Sequence, residues 1–152
     1  MNNKILILGN KPYKNFKLNS IIDSFDIIYR FNMTIVGKNN GTKFGKLAVC
    51  NHVYSNFVDN FVSRDEMISL YGKEMETSYL DEWYDFFQQN KKNFEDIYYQ
   101  SEHCSTEWNN MLSEYGSPYK FSKMASTGHS TIFTNLREKN NEIYIACFTL
   151  CP

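Results

Sequence analysis

The residues that most constrain this chain are Ile5-Leu6-Ile7-Leu8, four unbroken aliphatic side chains that stop at Gly9-Asn10. A run this short, apolar on both alternating sets, suits a strand covered on both faces, as in the parallel sheet of an α/β domain. Gly9 has no Cβ, so the chain can turn sharply there and bring its backbone close to a ligand. Open parallel sheets bind ligands at the carboxyl ends of their strands, which puts Gly9-Asn10 where a site is expected. A plain first strand with a turn accounts for the same residues, and the rest of the chain has to separate the two.

Further strands follow. Leu18, Ile21 and Ile22 have the spacing of a short amphipathic helix, ended by Asp23-Ser24. Phe25 to Phe31 reads as a second strand closed by Asn32, residues 37 to 45 as a Gly- and Asn-rich loop, and Lys46 to Cys50 as a third strand running into Asn51-His52. Three expected strands thus end in asparagine: Asn10, Asn32 and Asn51. An Asn side chain supplies donors and an acceptor without charge, which suits a nucleotide base edge or a sugar hydroxyl. Asn is also an ordinary turn residue. This chain is rich in it, as in Phe, Tyr and Lys, so the asparagines alone do not decide between a site and turns.

Residues 55 to 115 are helical in character. Ser63 and Glu66 have capping-box spacing. Leu80, Trp83, Tyr84, Phe87 and Phe94 form a stripe at helical spacing that reads as core. Ile97 to Tyr99 suggests a short strand, and Ser105 to Tyr115 a helix with Trp108, Met111, Leu112 and Tyr115 on one side, broken at Gly116-Ser117-Pro118. Met124-Ala-Ser-Thr-Gly-His129 then opens a helix running to about Lys139. Ser126 or Thr127 can cap it, Gly128 permits close approach, and the free N–H groups of its first turn can hold an anion. An ordinary capped helix accounts for the same residues. Glu142 to Phe148 reads as a last strand. The fold expected is α/β and Rossmann-like: one domain over residues 1–152, with a mainly parallel sheet of four or five strands and helices on both faces.

Composition narrows the function classes. A chain of 152 residues can build one domain with a real core. A formal net charge of -1 gives no basic field for nucleic acid or an anionic membrane surface. The first apolar run is too short for a secretory signal, and no run approaches the ~20 residues that span a bilayer. Cys50, Cys104, Cys147 and Cys151 form no Cys-x-x-Cys pair, which fits reduced thiols in a cytoplasmic protein, with peripheral membrane association left open. Zinc bound by Cys147 and Cys151 with Cys104 or His103 has poor spacing, and no metal is expected.

The ordered set carries more than any one motif. A strand into Gly9-Asn10-Lys11-Pro12 precedes Asp23-Ser24-Phe25-Asp26 and a strand ending Arg30-Phe31-Asn32. Gly41-Thr42-Lys43, the strand into Asn51, Ser126-Thr127-Gly128 and Ile143 to Phe148 follow in turn. This resembles the sialyltransferase-type glycosyltransferases, both the animal-type family and the related bacterial one, over most of the chain apart from its helical middle. The resemblance implies a Rossmann-like enzyme without a metal or other cofactor. It would transfer a sugar, commonly sialic acid, with inversion from a CMP-activated donor to a glycan acceptor hydroxyl. It also implies that Gly9, Asn10, Lys11, Asn32 and Asn51 face the nucleotide and donor sugar, and that Ser126, Thr127 and Gly128 hold the donor at a helix N-terminus. Lys11 and Cys147 stand where the family favours small residues or Gly, and Thr149 where Asp is common. The family's catalytic histidine follows the last strand, in a segment these residues do not contain, which leaves His129 as the histidine to consider. A nucleotide-binding relative without catalysis, or a cytosolic α/β interaction module, are the alternatives.

Overall fold

The computed structural model describes residues 2–11, 18–99, 104–118 and 126–148, with backbone alone for 104–108. Strands β1 (Asn3–Leu8), β2 (Ile27–Phe31), β3 (Lys46–Val49), β4 (Asp96–Tyr99) and β5 (Asn141–Ala146) form one sheet of order β4-β3-β2-β1-β5. Every pairing in it is parallel. The chain builds outward from β1 through β2, β3 and β4, then returns to add β5 on the other side of β1. Strand order therefore reverses beside β1.

The two-residue alternation of side chains assigns each strand's faces. Ile5, Ile7, Phe31 and Ala48 point to one side, where Ile132 of α6 (Thr127–Leu136) and Phe148 cover them. Leu6, Leu8 and Ile28 point to the other, against Leu18 and against Ile22 of α1 (Asn19–Asp23). On that same face Leu47 and Val49 meet the helical middle. This comprises α2 (Asn51–Tyr54), a π-helical turn over Ser55–Asp59, α3 (Arg64–Tyr71) and α4 (Thr77–Asn90). Helices on both faces explain why β1 needs no polar side: Ile5 to Leu8 are all buried.

The α4 stripe is core, as its spacing predicts: Leu80, Trp83, Tyr84 and Phe87 are buried, and so is Phe94 beyond the helix. Trp83 stacks on Phe87 at 4.9 Å and takes an edge contact from Phe57 at 4.8 Å. Burial of each such side chain is worth about 1.5–3 kcal/mol before entropy is counted. The capping box at Ser63 forms in full. Arg64 bridges to Asp81 and Asp85, fastening α3 to α4.

The loop over residues 37–45 is held from beneath by Arg30. Only 1% exposed, it donates to the carbonyls of Asn40, Lys43 and Phe44. Asp23 holds the same loop from outside, accepting from the Thr42 and Lys43 N–H groups and the Thr42 hydroxyl. Gly41 adopts φ +80°, and its N–H donates to Asn19.

Four details differ from the sequence expectations. Phe25 and Asp26 belong to a turn rather than to β2, and the Asp26 carboxylate accepts the Lys4 N–H. Strand β5 stops at Ala146, two residues before Phe148, and the chain turns at Cys147, which adopts φ 60°. Helix α5 (Cys104–Glu114) stops one residue short of Tyr115, which is 84% exposed instead of lying on an apolar side. Helix α6 ends at Leu136, short of Lys139. Among the described residues, no helix is long and apolar enough to cross a membrane.

Candidate functional site

The first three strands deliver their carboxyl ends to one cavity of about 560 Å³, within the range of about 300–1,000 Å³ usual for small-molecule sites. Asn10, Asn32 and Cys50, each just past the end of its strand, line the sheet side. Tyr71, Glu76 and Tyr79, from α3, the residue before α4, and α4, line the facing wall.

Both asparagines first hold the strand ends together. Asn10 Nδ2 donates to the Phe31 carbonyl at 2.8 Å, tying the end of β1 to β2. Asn32 sits at φ 46°, a left-handed conformation that Asn tolerates better than most residues. Its N–H donates to the Ala48 carbonyl and its Oδ1 accepts the Cys50 N–H at 2.8 Å, tying β2 to β3. Among the described residues, what remains for a ligand is the Oδ1 acceptor and one N–H of Asn10, together with the Nδ2 donors of Asn32.

A smaller cavity of about 150 Å³ adjoins across Asn10 and Tyr79, lined also by Gly9, Lys11 and Lys38. Lys38 is paired with Glu82. Tyr79 donates its hydroxyl to the Met33 carbonyl at 2.7 Å, which anchors α4 over the site. Burial pushes the Tyr71 and Tyr79 phenols up from their ordinary range, so both are neutral at physiological pH.

The crevice where strand order reverses is occupied by the chain itself. Gly9 donates to the Ala146 carbonyl at 2.8 Å and Lys11 to the Cys147 carbonyl at 3.1 Å. A Cβ on Gly9 would collide with that Cys147 carbonyl, and one on Gly128 would lie 2.7 Å from the Phe148 ring. The close approach that Gly9 permits is therefore made to β5's continuation. Phe148 wedges between the β1 turn and the start of α6 and meets Phe31 edge-on at 5.7 Å.

At the α6 N-terminus, Ser126 is the cap, its Oγ accepting the His129 N–H. The same Oγ lies 2.7 Å from His129 Nδ1. On the other face of the sheet, burial against the Leu6 and Leu8 cluster pushes the Cys147 thiol up.

Of the residues singled out in the sequence, Asn10 and Asn32 share the larger cavity, while Gly9, Asn10 and Lys11 share the smaller. Asn51 opens α2 as an exposed residue beside Cys50 and does not line the cavity. Ser126, Thr127, Gly128 and His129 gather at the α6 N-terminus, with Phe148 between Gly128 and the Gly9 turn, and line neither cavity. Cys50, Tyr71, Glu76 and Tyr79 were not singled out. Tyr79 adjoins the apolar stripe in sequence, and only the docking of α4 on the strand ends gives it and Glu76 a place at the site.

Among the described residues no group of three or more His, Cys, Asp or Glu side chains could hold a metal ion. His103, Cys151 and Thr149, with Pro12 of the first motif and Met124 and Ala125 of the α6 motif, lie outside the described residues, as do the side chains of Cys104, Ser105 and Trp108. No protein-family model matches the chain, and no curated protein matches it.

Proposed function

We propose that this chain is a sialyltransferase-like glycosyltransferase domain that binds a CMP-activated sugar, sialic acid in the first instance, and passes it with inversion to a glycan hydroxyl. The observation that carries the reading is the convergence of Asn10 and Asn32 on one cavity at the carboxyl ends of β1 and β2. Their uncommitted groups suit cytosine. Its exocyclic amine needs an acceptor, which Asn10 Oδ1 supplies, while its ring nitrogen and carbonyl need donors, which Asn32 Nδ2 supplies. Uracil reverses the first two requirements. Lys11, in the adjoining cavity, offers a cation for the phosphate. Charge separates during transfer: the sugar becomes oxocarbenium-like while the phosphate leaves as an anion. Fixed donors and a nearby cation stabilise that departure. Ser126, Thr127 and Gly128 line neither cavity and stand behind Phe148, so this reading gives them no contact with the nucleotide. The setting is cytoplasmic.

One observation favours a second reading, a nucleotide-binding relative that does not transfer. His129 faces Ser126 at hydrogen-bonding distance instead of lining the cavity, so it is poorly placed as a base. Isothermal titration with CMP, UMP and AMP tests the nucleotide claim common to both. CMP is expected to bind at least about tenfold more tightly than UMP, the effect of about 1.4 kcal/mol of base-edge discrimination. Equal binding of all three, or none, would remove the claim.

A further inference from the structure

Among the described residues, the wall facing Asn10 and Asn32 carries one carboxylate. Glu76 immediately precedes α4, with extended backbone at φ −62° and ψ 132°, and its side chain makes no cap bond to the helix. Within the described residues that carboxylate has no hydrogen bond or ion pair. Of the other acids nearby, Glu82 is committed to Lys38 and Asp81 and Asp85 to Arg64, while Glu74, close to Tyr71, does not line the cavity. The other titratable groups around the two cavities are poorer proton acceptors. Tyr71 and Tyr79 are phenols whose ionisation burial opposes, and Tyr79 already donates to Met33. Lys11 and Lys38 are ammonium groups with no lone pair to offer. Cys50 lies on the sheet side among the asparagines rather than on the facing wall.

Resting on the CMP-sugar reading above, we propose that Glu76 is the catalytic base that takes the acceptor's proton. With the nucleotide held on the amides of Asn10 and Asn32, the α3–α4 wall is left to the acceptor. The acceptor hydroxyl oxygen attacks the anomeric carbon of the donor sugar and forms the new glycosidic bond. The bond from that carbon to the phosphate oxygen breaks, its electron pair leaving with CMP. The hydroxyl proton passes to a carboxylate oxygen of Glu76, which returns it to solvent after product leaves. A positioned base of this kind contributes about 10²–10⁴-fold to rate.

The test uses the full chain, CMP-N-acetylneuraminic acid as donor and lactose as acceptor. CMP is titrated first into wild type, Glu76→Gln and Glu76→Asp, and CMP release and sialyllactose formation are then followed. Unchanged CMP binding is expected in all three, with kcat of Glu76→Gln lower by about 10²–10⁴-fold. Part of the rate should return in Glu76→Asp, and the acidic limb of the wild-type kcat–pH profile should vanish in Glu76→Gln. A purely structural role would not move that limb. Glu76→Gln turning over within about twofold of wild type would overturn the assignment, because a base is worth far more. So would a wild-type chain that binds CMP but does not turn over the donor. Failure to bind CMP would overturn the nucleotide reading itself, and the assignment with it.

Discussion

At the scale of single residues, the groups the sequence marks as motifs serve largely as fasteners, and their loss should register first as stability. Arg30 is buried and its guanidinium satisfies three loop carbonyls, while burial pulls its pKa down to about 10 against the opposing attraction of Asp23. Truncating it strands those carbonyls, so Arg30→Ala should cost about 1–3 kcal/mol, the penalty of leaving buried acceptors unsatisfied. Arg30→Lys should recover little of this, because one ammonium cannot reproduce the planar fork. Thermal melts of both variants check it. Asp23 makes the complementary pH prediction. Burial pushes its carboxyl up, but the N–H groups of Lys43 and Thr42, the Thr42 hydroxyl and the charge of Arg30 together hold it below its ordinary 3.8. A carboxyl depressed in the folded state stabilises fully above its unfolded value and loses that contribution as pH falls through the folded one. The melting temperature should therefore drop on acidification below about pH 4, and Asp23→Asn should show a shallower drop from a lower starting stability.

At the scale of elements, α4 does two jobs along one face, since Glu76 and Tyr79 stand four residues before Leu80 and Trp83. Leu80, Trp83 and Phe87 fill the core, while Tyr79 and the preceding Glu76 border the cavity. Trp83→Ala should cost about 3–5 kcal/mol through the void it leaves. Trp83→Phe should cost much less, because the Trp83 indole N–H is buried without a partner among the described residues, and its removal relieves an unsatisfied donor. Chemical denaturation of the pair separates the two contributions. The core half of α4 was readable in advance, since a period near 3.6 in large apolar residues sets them along one face of a helix that has to be buried. So were the four aliphatics of β1 and the capping box at Ser63. The site half was not, because nothing in Glu76-Thr-Ser-Tyr79 says which strand ends the helix will cover. Gly9 falls between these cases. Its need for close approach was legible, but the partner, the Cys147 carbonyl, comes from the far end of the chain and is set by β5 joining β1.

At the scale of the whole molecule, the order β4-β3-β2-β1-β5 separates two regions that the sequence motifs run together. On one side of the β1 turn, the ends of β2 and β3 lie open beneath α4 and form the cavity of Asn10 and Asn32. On the other, Phe148 and the Cys147 backbone fill the reversal beside β1, with the α6 N-terminus behind them. The donor reading requires the first region to take the nucleotide. The most direct measurement is a titration of CMP into isotopically labelled full chain, following backbone and side-chain amide resonances. Saturable shifts confined to the Gly9–Lys11 turn, Asn32, Cys50 and Tyr79, including both asparagine side-chain amides, are the predicted result. Shifts confined to the α5–α6 groove around Met111 and Arg137, or no saturable shift at all, would contradict it.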